Sequence, residues 1–240
     1  MITLSPLSPS RAVSAPFVAC WLAGGMGNQM FQYACAYALA KRMSAELYLD
    51  CAVFARDPLR SFSLHVFPLA GRENPQVSRP CNIVGKAVWK IRAKLPFLPF
   101  QAFIIVEEKS LNFNPRVLRL KKNVYLKGHW QSEKYFVDAA DAVKALYNLE
   151  PFIPDEPRRR YPEIFTGTSV SVHLRRGDYL NAHVRSIHGL CEIANSSFSW
   201  WAAWLGERQG ANVIAPARWF NAPSLQEQAG DIIPERWIAL

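Results

Sequence analysis

Apolar positions along this chain fall into short unbroken runs that alternate with longer amphipathic stretches. Phe17 to Ala23 has the length of a buried strand and ends in the glycines Gly24, Gly25 and Gly27. Asn28 to Met43 is rich in Ala, Met, Leu and Tyr and predicts a helix. Glu46 to Asp50 predicts a second strand, returning through a right-handed crossover if the sheet is parallel. Pro58, Pro68 and Pro75 break the pattern between Cys51 and Pro80, which reads mostly as loop. Lys86, Lys90, Arg92 and Lys94 then interleave with Val88, Trp89, Ile91 and Leu95 in a basic amphipathic helix that stops at Pro96 and Pro99. Phe103 to Val106 and Val124 to Lys127 read as strands. Ser132 to Leu149 reads as a helix with Phe136, Ala140, Val143 and Tyr147 along one face.

Four prolines, Pro151, Pro154, Pro157 and Pro162, together with Arg158, Arg159 and Arg160, mark residues 150–162 as an interdomain linker whose arginines read as a solvated run. Beyond it, Ser169 to Leu174 alternates like a strand, Ser197 to Arg208 is a Trp-rich helix, and Asn212 to Ala215 is a further strand. Strands alternate with helices on both sides of the linker. That order predicts an α/β architecture with two Rossmann-like halves, residues 17–149 and 163–240, with ligands at the strand carboxyl ends. Residues 1–16, built of Ser, Pro and small side chains, read as a disordered tail.

Composition narrows the picture. In 240 residues, half are hydrophobic and a fifth charged, which excludes global disorder, collagen and coiled coil. Lys and Arg outnumber Asp and Glu by 28 to 19, a net charge of +9 that favours anionic partners. Nucleic acid is disfavoured, because neither an aromatic-basic RRM signature nor a helix-turn-helix is present. Cys20, Cys35, Cys51, Cys81 and Cys191 are odd in number and scattered, without a C-x-x-C pair, so neither a disulfide framework nor a zinc site is expected. The five histidines lack an H-E-x-x-H arrangement, and chemistry without a protein-held metal is expected. The apolar patch after Arg11 is interrupted by Pro16 and is too short for a membrane span, so the chain reads as cytoplasmic.

Three segments carry candidate chemistry. Gly24-Gly25-Met26-Gly27-Asn28-Gln29 sits between a strand and a helix, where glycines permit a sharp turn and helix N–H groups favour an anion. It is neither G-x-G-x-x-G nor a lysine-bearing P-loop, which argues against an ordinary dinucleotide-binding oxidoreductase or a nucleoside triphosphatase. Asn28 and Gln29 supply two adjacent amides suited to a polyhydroxylated ligand. His173-Leu174-Arg175-Arg176-Gly177-Asp178-Tyr179 ends a strand, with His173 and Arg175 on one face and Arg176 on the other. A guanidinium there can grip two phosphate oxygens, and Asp178 can orient an arginine or accept a sugar proton. Ala194-Asn195-Ser196-Ser197 opens the Trp-rich helix; one of Asn195, Ser196 and Ser197 is expected to cap it, and together they offer a neutral anion cradle. The spacing of Trp200, Trp201 and Trp204 implies that at least one tryptophan points away from the others. G-x-S-x-G is missing around these serines, which disfavours a serine hydrolase.

Taken together, GGMGNQMFQYACAYALAK from Gly24, GHWQSEKYF from Gly128, VHLRRGDY from Val172 and ANSSFSWWAAWL from Ala194 resemble the bacterial α-1,2-fucosyltransferases of glycosyltransferase family 11. The match covers about a fifth of the chain, and the order and wording of the motifs make it specific. The resemblance implies a GT-B-like fold and metal-independent, inverting transfer of L-fucose from GDP-fucose to the 2-hydroxyl of a galactose-type acceptor. It implies that Arg175 holds the diphosphate, that His173, Arg176 and Asp178 shape its pocket, and that Asn195, Ser196 and Ser197 line the same site. It also places Asn28 and Gln29, with Gly25 and Gly27 of the turn, near the donor sugar; His173 and Asp178 are both candidates for the base. No cofactor beyond the donor is implied.

The chain departs from the family in one place. Only Leu180 to Ile193 separate the HLRRGDY and ANSSFSWW elements, so the second half is expected to be shortened and to lack groups that read guanine and ribose. The rival reading is therefore a nucleotide-sugar-binding remnant without turnover. The basic helix near Lys90 is a further candidate, for peripheral contact with the inner membrane surface.

Overall fold

Apolar runs without polar interruption suit strands covered on both faces, and the first such run becomes the middle of a sheet. In the computed structural model, which describes residues 15–74, 77–79, 83–94, 103–148, 155–162, 195–207 and 212–240, strand β1 (Phe17–Trp21) leads through helix α1 (Met26–Met43) to β2 (Glu46–Asp50). The two-residue β3 (Arg72–Glu73) extends the sheet beside β2. Helix α2 (Ile83–Arg92), β4 (Ile104–Glu107) and β5 (Val124–Lys127) follow, and the strand order is β3-β2-β1-β5-β4. Every pair is parallel, with Val18 opposite both Leu47 and Val124.

Side-chain alternation divides each strand between two cores. Val18, Cys20, Leu47, Leu49, Val124 and Leu126 face α1, whereas Phe17, Ala19, Tyr48 and Tyr125 face α2 and its inward Trp89. Helix α1 is apolar nearly all round because it is buried on more than one side. Its last turn carries Lys41 and Arg42, cations that favour the negative end of the helix dipole, and Ser44 closes it in the left-handed region at φ 49°.

The stretch expected as one helix from Ser132 begins as two 3-10 turns, Glu133–Tyr135 and Val137–Ala139, before α3 (Ala140–Leu146). Ser132 caps the first turn by accepting from Lys134 N, and Phe136 (φ −139°) interrupts the helical path between the two. The expected face holds in the core nonetheless: Phe136, Val143 and Tyr147 are buried. Within the proline-rich stretch lies a short helix α4 (Asp155–Arg160). The strand expected over 169–174 lies outside the described residues.

Helix α5 (Ser197–Gly206) joins the same core as α1. All three of its tryptophans are buried and their ring centroids lie 5.1, 5.9 and 5.3 Å apart, which corrects the expectation that one would point away from the others. The helix has apolar neighbours on several sides. Trp201 stacks on Phe136 and meets Tyr147 edge-on, while Trp200 packs on Phe31 and Trp237. Each indole N–H has an acceptor: Ile232 O for Trp200 (2.8 Å), Gly27 O for Trp201 (3.0 Å) and a Glu133 carboxylate oxygen for Trp204 (2.9 Å). After α5 come β6 (Ile214–Ala215), the short α6 (Pro223–Gln226) and β7 (Ile238–Ala239), with β6 and β7 paired in parallel.

Candidate active site

β1 and β5 are adjacent parallel strands, so the turns that follow them lie side by side at the strand carboxyl ends, where parallel α/β sheets take ligands. The turn after β1 supplies one wall. Gly24 has φ +77°, a conformation that favours glycine, whereas Gly25 is ordinary backbone (φ −75°) with open space where a side chain would stand. Gly27 does something different. A Cβ there would lie 2.5 Å from Phe198 N and 2.5 Å from Ser197 C, so its bare Cα lets the start of α5 lie directly against the start of α1.

The glycine turn, expected near the donor sugar, and the Ser-rich segment, expected at the phosphate site, are thus in contact. Neither helix start carries an acidic residue in its first turn or a side-chain cap. The capping expected of Asn195, Ser196 or Ser197 is not made: Ser196 stands at the cap position without a cap bond, and Asn195 Nδ2 donates to Trp219 O at 2.7 Å. The first backbone bonds of the two helices run from Asn28 N and Gln29 N to Gly25 O and from Trp200 N to Ser196 O. Two positive dipole ends therefore adjoin without negative side chains in their first turns, which favours an anion beside them.

The adjacent amides Asn28 and Gln29 have different surroundings. Gln29 is fully buried; its Nε2 donates to Gly24 O (2.8 Å) and Ser61 O (2.9 Å), and its Oε1 accepts from Ser63 N (2.9 Å). It braces the turn against the 61–63 loop. Asn28 is half-buried and accepts from Gln131 Nε2 at 2.8 Å, leaving its own amide group for other partners. His173, Arg175, Arg176 and Asp178 lie outside the described residues.

The second wall, which sequence reading did not single out as a site, is the turn Gly128 to Gln131 after β5. Trp130 sits at φ 55°, a costly conformation for a bulky residue. Glu108, at the end of β4, holds it there: one carboxylate oxygen accepts from His129 N (2.6 Å) and the other from Trp130 N (3.1 Å). Gly128 has no room for a Cβ against Glu108 and Trp130. Burial raises the Glu108 carboxyl above its usual range, partly offset by those two N–H donors. Residues 21 and 22 positions apart make this clamp, a spacing no local motif announces.

His129 is fixed from behind. Gln32, fully buried, accepts from Ala23 N through Oε1 (2.9 Å), so its Nε2 faces the imidazole Nδ1 at 3.3 Å. Burial holds the His129 imidazole below the usual histidine range, and Trp21 lies beside the ring with centroids 6.3 Å apart. The wall therefore presents uncharged hydrogen-bonding groups, and the helix starts present the anion-favouring end. At the end of β2, Asp50 is buried and accepts from Tyr125 OH (2.5 Å) and from the backbone of Ala52 and Arg79, which makes it a structural carboxylate.

A separate cleft of about 340 Å³ is lined by Glu133, Lys144, Trp204, Glu207 and Arg236. Arg236 pairs with both carboxylates there and lowers the Glu207 pKa, so that cleft's charges are already matched within the protein. Among the described residues, no group of three or more His, Cys, Asp or Glu side chains is placed to hold a metal ion. None of their helices is long and apolar enough to cross a membrane.

The described residues form a parallel α/β protein in which the turns after β1 and β5 and the starts of α1 and α5 gather at one end of the sheet. The chain is similar to glycosyltransferases. It is 26% identical over 292 residues to an α-1,2-colitosyltransferase of Escherichia coli, covering 91% of this chain and 97% of the relative. It is 24% identical over 291 residues to the O-antigen biosynthesis glycosyltransferase WbnK of Escherichia coli, covering 83% and 93%. Both alignments are longer than the 240 residues of the chain, so both relatives carry residues with no counterpart here. No family model matches the chain. No solved structure matches it.

Proposed function

We propose that this chain is an inverting, GT-B-type glycosyltransferase that moves L-fucose from GDP-fucose to the 2-hydroxyl of a galactose-type residue on a glycan. The observation that carries the reading is the junction of the glycine turn with the Ser196–Ser197 helix start, beside the carboxyl ends of β1 and β5. The similarity to an enzyme named for an α-1,2 sugar linkage supports the class of transfer.

In this reading the acceptor oxygen attacks the anomeric carbon as GDP departs. The C–O bond to the diphosphate breaks, and the leaving oxygens gain charge. Arg175, with Arg176 in support, meets that charge together with the helix dipoles at Gly25 and Ser197, groups already in place before the reaction. His173 and Asp178 remain the candidates to take the acceptor proton. Residues 163–240 contribute the donor half, shortened between the HLRRGDY and ANSSFSWW elements. We place the protein in the cytoplasm, with its glycan acceptor met at the inner membrane surface. The outward face of α2 supports that placement, because Val88 (49%) and Ile91 (58%) are exposed beside Lys90.

The test is incubation of the purified chain with GDP-fucose and a β-galactoside, following GDP release and the product linkage by NMR. A 2-O-fucosylated product with inverted anomeric configuration supports the reading. GDP-fucose binding without product moves the protein to the binding-remnant reading, and absence of both discards the donor assignment.

A further inference from the structure

The turn after β5 is more constrained than a connection between strands needs to be. Trp130 is held at positive φ, Glu108 clamps two successive amides, Gly128 admits no side chain, and Ser132 N closes onto Trp130 O at 2.8 Å. Backbone strain fixed by several independent contacts marks a position where the side chain's placement matters. The side chains so placed are His129 and Gln131, and both are tied to α1, through Gln32 and Asn28 respectively.

The amide of Gln32 settles what His129 can do. Because Ala23 N donates to Gln32 Oε1, Gln32 Nε2 is a donor toward Nδ1 of the imidazole. A neutral imidazole that accepts at Nδ1 carries its proton on Nε2. Nε2 is then a donor and has no lone pair with which to take a proton. Gln131 spends its Nε2 on Asn28 Oδ1, which leaves Gln131 Oε1 as an acceptor and Asn28 Nδ2 as a donor, a neutral pair matched to a hydroxyl that both gives and receives.

We infer that His129, held by Gln32, donates from Nε2 to an oxygen of the acceptor sugar beside the attacking hydroxyl, with the Asn28–Gln131 pair binding a second hydroxyl, so that His129 orients the acceptor and is not the base. The inference rests on the glycosyltransferase reading. A wall of uncharged groups suits a neutral sugar, while the diphosphate goes to the helix starts and Arg175. Burial, which lowers the imidazole pKa and so favours its neutral form, agrees with a fixed donor.

The side-chain amide of glutamine can place a donor near the Nε2 position of histidine, so His129→Gln separates the two roles. With GDP-fucose and methyl β-D-galactoside, His129→Gln should keep kcat within about threefold, and His129→Ala should raise the acceptor KM by roughly three- to tenfold, the scale of one neutral hydrogen bond. The KM for GDP-fucose should be unchanged in both. The pH profile of kcat should keep its acid limb in His129→Gln, because the base lies elsewhere. A loss of a hundredfold or more in kcat for His129→Gln, or disappearance of that limb, overturns the inference. So does a His129→Ala variant with wild-type acceptor KM.

If the wild-type chain transfers nothing, the functional reading fails on its own. Saturation-transfer NMR with methyl β-D-galactoside alone then decides the site: a signal in the wild type and in His129→Gln that is lost in His129→Ala sustains it, and equal signals or none refute it. Should His129→Ala fail to fold, the His129→Gln kinetics and Gln131→Leu, expected to raise the same acceptor KM, decide between the two roles.

Discussion

Replacing Gly27 with alanine should damage the junction on which the site depends, and replacing Gly25, two residues away, should not. The added Cβ at position 27 would stand 2.5 Å from Phe198 N, 2.5 Å from Ser197 C and 2.7 Å from Ser197 Oγ. Unstrained non-bonded contacts lie at roughly 3.5–4.0 Å, so the first turn of α5 must retreat by about 1 Å. Two of those neighbours are backbone atoms, which cannot swing aside. Overpacking of this kind costs about 1–3 kcal/mol, and weakening the Trp201–Gly27 hydrogen bond adds about 1 kcal/mol. Alanine's helix propensity returns at most about 1 kcal/mol, leaving a net loss of about 2 kcal/mol. For a chain of this size that is a fall in Tm of roughly 4–8 °C. At Gly25 nothing lies within 4 Å of the added Cβ and φ is −75°, so the small loss of cap preference and the gain in chain stiffness roughly cancel. Thermal unfolding followed by circular dichroism and by tryptophan fluorescence compares the two. A Gly27→Ala protein that melts with Gly25→Ala would show that α5 does not pack as described, and the anion site would lose the helix start that α5 contributes.

If Arg175 meets the leaving diphosphate as proposed, Arg175→Ala should lower kcat/KM by at least about a hundredfold; near wild-type turnover would refute the phosphate assignment. Glu108→Gln replaces one of two acceptors by a donor facing a backbone N–H, and should cost about 1–3 kcal/mol in denaturant unfolding. Glu108 has a folded pKa above its ordinary value of 4.5, so its contribution to stability is fully present below that value and is lost as pH rises through the folded pKa. Glu108→Gln should remove this part of the pH slope, and an unchanged slope would mean that the carboxyl is not buried as described. The double variant Val88→Ser/Ile91→Ser should reduce sedimentation with phosphatidylglycerol vesicles with at most a small fall in Tm, because both side chains are about half exposed; retained binding would refute the proposed membrane contact of α2.

Several elements were legible because one local cause dominates them. The run from Phe17 must be buried on both faces, and it is the central strand; Val124–Lys127 was legible for the same reason. The two-residue β3 was not, because Arg72 and Glu73 are exposed and only pairing with β2 defines them. Tryptophan periodicity failed as a guide at α5, since a helix surrounded by apolar partners need not choose one face. In the site, composition pointed to the glycine turn but could not divide its labour: Gly24 for φ, Gly25 for open space, Gly27 for the approach of a helix 170 residues on. Likewise Gln29, attractive as a ligand group, is held by Ser61 and Ser63, and the clamp of Glu108 on His129 depends on which strands are neighbours.

The bond from Trp201 to Gly27 joins positions 174 residues apart, and it bears on how the protein is made. A ribosome completes β1, α1 and β2 long before it reaches the tryptophans that cover α1. Until then Phe31 lacks its indole neighbours and Gly27 faces an open slot. The nascent sheet must wait, sticky and half-finished, until the 174 residues that separate Gly27 from Trp201 have been made. Pauses in translation, chaperone supply and growth temperature should therefore govern soluble yield more strongly than the stability of the finished molecule would suggest.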